Sequence, residues 1–253
     1  MEEKELLSLI RKKRELSEVT EKVVEEALAS YLKKYKISIS NLNLADADII
    51  IKAVRANLRK YVGQYQISIP KKEKLLKENN FQALLKTHSS TKERLEIYPQ
   101  LKEIIAKLNP GSILDLGCGI NPLALASQNV TYFASDINES DLNVVEAFFK
   151  ANKIQGNVFV YDLSKYKNDL PKADLCLLFK VLDQIKKSNS SIIKLIIQTI
   201  DCKNILVSFS TKKLSGKTMN NPKRFWFEKI IDSLGYEYDL FKFENELFYL
   251  IKK

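Results

Sequence analysis

Long hydrophobic runs are missing from this 253-residue chain. Its most apolar stretch, Ile192–Ile200, is interrupted by Lys194, Gln198 and Thr199, too polar a pattern for a membrane-spanning helix. The opening MEEKELLSLIRKKRE mixes both charge signs without an apolar segment, so no secretory signal is expected. Cysteine and histidine are scarce. Cys118, Cys176 and Cys202 lie far apart without a C-x-x-C pair, and the chain has one histidine. That argues against a zinc site, an iron–sulfur cluster and a disulfide framework, and a reduced, cytoplasmic compartment is the simplest reading. No internal repeat or low-complexity tract interrupts the pattern.

Basic residues, by contrast, are in excess: 41 Lys and Arg face 31 Asp and Glu, a formal charge of +10. Such a balance suits a polyanionic partner, though a solvated lysine-rich surface reads the same way. The excess is concentrated between Lys52 and Lys77, where eight basic residues meet one acid, Glu73. Lys52, Arg55, Arg59, Lys60, Lys71, Lys72 and Lys74 are therefore expected to meet nucleic-acid phosphates.

Apolar residues recur at helical spacing over Glu3–Lys13, Ser17–Tyr35, Asp46–Val62 and Lys71–Lys86. After Pro110 the character changes. Short β-rich runs (Ser112–Leu116, Val130–Ile137, Val158–Leu163, Ala173–Lys180, Asn204–Ser210) alternate with helical stretches (Glu139–Asn152, Asn189–Cys202, Pro222–Leu234). This rhythm implies an α/β fold with a mostly parallel sheet, closed by a hairpin over Tyr236–Phe243 and Glu246–Ile251. Such a Rossmann-like sheet with an antiparallel last strand is the class I methyltransferase arrangement. The expected division is an all-helical domain over 1–88 and a methyltransferase domain over 89–253.

The segment DLGCGINP carries the chemistry. A strand ending in Asp115 runs into Gly117 and Gly119, around Cys118, which allow a sharp turn and close approach of a ligand. A dinucleotide fingerprint would place a third glycine where Pro122 stands. A pyrophosphate needs that close helix start, and S-adenosylmethionine does not. Asp115 is placed to orient the loop or to bind a ligand ammonium. Asp136, ending the next strand, suits ribose hydroxyls; a cap for the helix at Glu139 is the weaker alternative, because Asn138 or Ser140 could cap it. Asp162 suits an adenine amino group, or is a turn aspartate. Ile137 and Leu163 follow these acids and are expected to line the same pocket, with Asn121 closing the loop.

Several segments resemble the 16S ribosomal RNA methyltransferases that modify ring nitrogen 7 of a decoding-site guanosine and confer aminoglycoside resistance. HSSTKERL (His88–Leu95) is similar to that family's His-x-Ser-Thr-x-Glu-Arg segment, and DLGCGINPLAL to its first motif. LCLLFKVLDQI and VSFSTKKLSGK resemble its segments at the fourth and fifth strands, and FWFEKI and NELFYLIKK also look familial. The resemblance implies that Arg94 binds the cofactor carboxylate through two parallel hydrogen bonds, with His88, Ser89, Ser90 and Thr91 shaping that side. A surface arginine and a packed linker histidine are the alternatives for Arg94 and His88. Phe179 and Lys180 would lie beside the methyl group and target base. Lys212, Lys213, Ser215, Gly216 and Lys217 would form a loop meeting RNA, with Lys223 and Arg224 nearby. Ser210 and Asp183 stand where the family has proline, and Lys217-Thr218-Met219 departs from its Lys-Gly-Met. These departures touch the base-binding side more than the cofactor side.

Ring nitrogen 7 of guanine carries a free lone pair, so no general base is expected, and none is offered by a motif. The target base would be distorted or flipped and stacked on an aromatic, with Trp226 as candidate, although aromatics at helical spacing usually belong to a core. The implied partner is the small ribosomal subunit, with no metal or membrane, and the chain is expected to act as a monomer. Alternatives are the same fold acting on another RNA nucleotide, an adenine of the same rRNA helix or tRNA, and a ribosome-binding protein without turnover.

Overall fold

The computed structural model describes residues 2–13, 16–39, 42–59, 69–188, 191–212, 219–220 and 222–253. Lys60, Lys213, Ser215, Gly216 and Lys217 lie outside the described residues, as does the side chain of Lys71.

Among the described residues seven helices come first: α1 (Glu3–Arg11), α2 (Glu21–Tyr35), α3 (Leu44–Leu58), α4 (Ile69–Lys77), α5 (Phe81–Leu85), α6 (Ser89–Arg94) and α7 (Tyr98–Lys107). The single helix expected over Lys71–Lys86 is two. Asn79 takes a positive φ of 50° and the Asn80 side chain caps α5 by accepting from Ala83 N. α2 starts four residues later than Ser17, because Val19 is engaged in an isolated bridge with Asn138.

The remaining chain alternates as expected: β1 (Ser112–Leu116), α8 (Pro122–Leu125), β2 (Thr131–Asp136), α9 (Glu139–Asn152), β3 (Gly156–Val160), β4 (Ala173–Phe179), α10 (Leu182–Ser188), α11 (Ser191–Thr199), β5 (Cys202–Ser210), α12 (Phe225–Ser233), β6 (Glu237–Lys242) and β7 (Glu246–Lys252). Asn138 caps α9 by accepting from Asp141 N, and Pro122 occupies the first turn of α8, where a missing N–H costs nothing. The strands form one sheet in the order β3-β2-β1-β4-β5-β7-β6. β1 to β5 pair in parallel, and β7 runs antiparallel to both β5 and β6. The strand order reverses between β1 and β4, so the crevice at their carboxyl ends is where open α/β sheets bind ligands.

Apolar clusters cover both sheet faces, one shared with α5, α7, α8 and α9 and the other with α10, α11 and α12. A third cluster, drawn from Leu6 to Leu58, holds α1–α3 together with Ile137 packed against it. The division of cores therefore falls earlier than residue 88. Leu75, Leu76, Phe81, Leu84 and Leu85 pack with the sheet, so α4 and α5 belong physically to the α/β body.

Candidate active site

Asp115 closes β1 fully buried. Its Oδ2 accepts from the Tyr132 hydroxyl (2.8 Å) and from Asn121 Nδ2 (3.2 Å), and Asn121 is itself fixed by the Tyr98 hydroxyl (2.8 Å). Its Oδ1 is buried with no hydrogen-bond partner among the described residues. Burial, relieved in part by Tyr132 and Asn121, raises the Asp115 pKa to about 6. A buried acceptor left open in this way suits a cationic donor.

The two glycines then turn the chain. Gly117 has φ 69° and Gly119 φ 51°, and a Cβ on Gly117 would lie 2.5 Å from Val181 Cγ1. Only glycine lets this loop pass against the turn that leaves β4. Gly117 N and Cys118 N both donate to Ser135 O, tying the loop to β2. Gly119 N donates to Asp136 Oδ2 (2.8 Å), while Ile137 N and Asn138 N donate to Asp136 Oδ1 (2.7 and 2.9 Å). A carboxylate offers about four lone-pair directions, so about one remains for a ligand. Burial and the nearby Asp141 charge, against those N–H groups, raise Asp136 to about 6.

Asp162 serves mainly as a cap. β3 ends two residues before it, and its Oδ1 accepts from Ser164 N and Oγ, starting the short 3-10 turn Leu163–Lys165. Leu163 is buried in the sheet core, and Ile137 packs against the cluster of α1–α3.

The HSSTKER segment forms α6 beside the glycine loop. The His88 ring lies 3.4 Å from the position of a Cβ on Gly119, and burial holds its pKa down. Thr91 Oγ1 donates to Leu85 O (2.5 Å) and His88 O (3.0 Å) and so fixes the start of the helix. Ser89 Oγ is buried without a partner among the described residues, and Ser90 is half-buried. Arg94 is buried, not a surface residue, and its guanidinium stacks over the Phe179 ring at 5.0 Å. The forked contact expected toward a ligand is already made inside the protein: Nε (2.9 and 3.1 Å) and Nη2 (2.8 Å) bind Glu246. Glu246 also accepts from Ser208 Oγ and lies 3.4 Å from Lys180 Nζ. Burial alone would raise the Glu246 pKa, but Arg94 and Lys180 outweigh it and hold the carboxyl low.

Lys180 leaves β4 with φ 59° and sets its Nζ 2.7 Å from Glu93. Phe179 is buried, edge-on to Phe248 at 5.3 Å. The crevice thus gathers residues from β1, β2, β4 and α6, and adds Glu246, Glu93, Tyr98, Tyr132 and Ser208, which sequence reasoning missed. Glu246 had a signal: it is the one acid opening an otherwise apolar strand.

Three expected RNA-contacting cations are corrected. Lys72 is 2% exposed, with Nζ 2.8 Å from Asp141 Oδ1 and 3.2 Å from Glu18 Oε2. Arg224 is buried, forked onto Asp183 (Nε 3.1 Å, Nη2 2.7 Å) and donating to Ser210 O (3.0 Å). Both positions that depart from the family's proline therefore meet at this one guanidinium. Arg55 donates to Leu9 O and Ile10 O (3.2 Å), satisfying the last carbonyls of α1. Lys52 and Lys74 are exposed beside Asp48 and Glu78, Lys212 faces Glu244, and Arg59 and Lys223 are exposed. Trp226 is half-buried in an aromatic cluster with Phe209 and Phe227, with Lys186 Nζ 4.3 Å over its ring, while its neighbour Phe225 is 55% exposed.

A family model described as ribosomal RNA methyltransferase (FmrO) matches residues 64–250. A 16S rRNA (guanine(1405)-N(7))-methyltransferase of Serratia marcescens is 28% identical over 211 residues, 80% of this chain and 83% of that protein. One from Frankia casuarinae is 28% identical over 180 residues, 67% of this chain, and the match spans 62% of that relative's length. The crystal structure of the 16S rRNA methyltransferase RmtF in complex with S-adenosyl-L-homocysteine superposes with a TM-score of 0.82 at 23% identity, covering 100% of this chain and 99% of that one, which establishes the shared fold.

Proposed function

The chain belongs to the ribosomal RNA methyltransferase (FmrO) family, and on that premise we propose that it methylates ring nitrogen 7 of a decoding-site guanosine in 16S rRNA of the small subunit, using S-adenosylmethionine and giving aminoglycoside resistance or a related rRNA modification. The observation that carries the cofactor is Asp115 Oδ1, a buried, unpartnered oxygen beside a glycine turn. It fits the ammonium of an amino-acid ligand, and Arg94, held by Glu246 beside it, would face the ligand's carboxylate. Asp136 would accept from a ribose hydroxyl, and Ser89, Ser90, Asn121 and Cys118 would border the same crevice.

When bound, the cofactor supplies an electrophilic methyl group on a sulfonium. Everything else falls to positioning and exclusion of water. Guanine nitrogen 7 attacks with its own lone pair, so no side chain has to remove a proton. The β4 turn, Phe179–Val181, packs on the glycine loop and forms the wall where the base would be presented. Exposed Arg59, Lys223, Lys52 and Lys74 and half-buried Lys212 are the described candidates for phosphate contacts, to which Lys60, Lys71, Lys213 and Lys217 are added from sequence.

Purified small subunits incubated with the protein and radiolabelled cofactor test this, with the modified nucleotide mapped by strand scission at the cationic 7-methylguanosine. Label at a decoding-site guanosine supports the reading. Label on an adenine or on tRNA keeps the enzyme and replaces its substrate, and cofactor binding without transfer rejects the activity.

A further inference from the structure

The turn after Asp136 is held from outside the α/β body. Residues 18–20, on the approach to α2, clasp it through backbone hydrogen bonds: Thr20 N donates to Ile137 O (3.1 Å) and Glu139 N donates to Glu18 O (2.8 Å). Val19 and Asn138 form the bridge between these bonds, and Ile137 sits in the apolar cluster of α1–α3. Beneath the clasp lies the buried cation Lys72, bound to Glu18 on one side and to Asp141, in the first turn of α9, on the other. The peptide group whose carbonyl Thr20 holds carries Asn138 N, one of the two donors that orient Asp136 Oδ1, and the other, Ile137 N, lies in the next peptide group.

We propose that the α1–α3 unit is part of the cofactor site, and that Lys72 is a positioning residue which, with the Glu18–Thr20 clasp, holds Asp136 ready for the ribose. The inference rests on the reading of this crevice as an S-adenosylmethionine site. A buried ion pair is a poor source of net stability but a good device for fixing one register between two bodies. One cation shared by carboxylates from both bodies does this here. The Glu18–Thr20 clasp bears directly on the turn after Asp136, whereas the amino-acid end is reached only through the Asp141–His88 contact (4.0 Å), so loss of the clasp acts first on the adenosine half of the ligand. A partner bound to α1–α3 and a ligand bound at Asp136 then influence each other reciprocally.

Two full-length variants test it by calorimetry. Lys72→Met combined with Glu18→Gln and Asp141→Asn removes the ions without leaving one unpaired. Thr20→Pro removes a single clasp hydrogen bond at a residue whose φ of −57° proline accepts. S-adenosylhomocysteine and methylthioadenosine, which keeps the ribose but lacks the amino-acid end, should both lose affinity by about tenfold, within the usual range of coupling between sites. Saturating small subunits should tighten S-adenosylhomocysteine binding to the wild type and not to the variants. Wild-type affinity for both ligands in folded variants overturns the proposal, as does a loss confined to S-adenosylhomocysteine. Failure of the wild type to bind either ligand rejects the cofactor reading instead.

Discussion

Replacing Asp115 by asparagine should weaken the ligand complex without weakening the free protein. Burial raises the Asp115 pKa from 3.8 to about 6. A shift of about two units corresponds to about 3 kcal/mol of differential interaction. The folded pKa lies above the unfolded one, so the cost is absent below about pH 3.8 and complete above about pH 6. Asparagine removes it, and its amide N–H, unpartnered at the open position, costs ~1–3 kcal/mol. The free variant should therefore melt no lower than the wild type at pH 7.5. Ligand affinity moves oppositely, because a charged hydrogen bond to the ammonium is lost, about 1.5–3 kcal/mol or ~10–100-fold. Wild-type affinity for S-adenosylhomocysteine should be flat above about pH 6.5 and fall about tenfold per pH unit below pH 6 for each carboxylate that must be ionised. Asp136, also about 6, makes that slope up to two in the wild type and one in Asp115→Asn. Calorimetry from pH 5 to 8 and melting curves of the free proteins read both quantities. A variant that melts several degrees lower at pH 7.5 yet keeps its affinity would refute the reasoning.

Gly117→Ala should lose ligand binding and about 1–2 kcal/mol or more of stability, since its φ is 69° and its Cβ would meet Val181; urea titration and calorimetry check this. Arg224→Ala should destabilise by ~1–3 kcal/mol through the hydrogen bonds it loses, since Asp183 is 36% exposed and water can replace its partner, yet leave the salt dependence of subunit binding unchanged, whereas Lys223→Ala should spare stability and lower that slope by about one. Trp226→Ala should cost ~1–3 kcal/mol in urea unfolding, with any lost methylation recovered under stabilising conditions. Cys118, Cys176 and Cys202 are buried, and burial pushes all three thiols up, so a thiol reagent at pH 8 should label none until the protein unfolds.

What was legible in the sequence was local. The β–α rhythm, the Asp115–Gly119 turn, the Asn138 cap and the closing hairpin each declare themselves within a dozen residues, because periodicity and turn chemistry act at that range. The misplacements arose where a distant partner decides the outcome. Lys72 reads as a surface lysine until Glu18 and Asp141, remote in the chain, are folded around it. Arg224 is committed to Asp183, and Arg94 to Glu246 at the far end of the chain. Composition counts such cations as free charge, whereas folding has already neutralised them. The break between α4 and α5 differs, since Asn79-Asn80 announced it and the apolar spacing across it masked the signal.

That internal neutralisation bears on the proposed chemistry. Transfer of a methyl group to neutral guanine nitrogen 7 carries one positive charge from sulfur to the base. A bare ammonium about 5 Å from the new charge would oppose it by roughly 3 kcal/mol at an effective dielectric of about 20, two orders of magnitude in rate. Lys180, at the β4 end, is not bare: Glu93 lies 2.7 Å and Glu246 3.4 Å from its Nζ. Arg94 is matched by Glu246 in the same way. Lys180 and Arg94 thus keep their hydrogen-bonding reach while their fields are cancelled nearby, so on the proposed reaction they would orient a ligand without repelling the charge that forms there. On the proposed reaction, the acids around Lys180 and Arg94, rather than the cations themselves, would set the electrostatics of the transfer path.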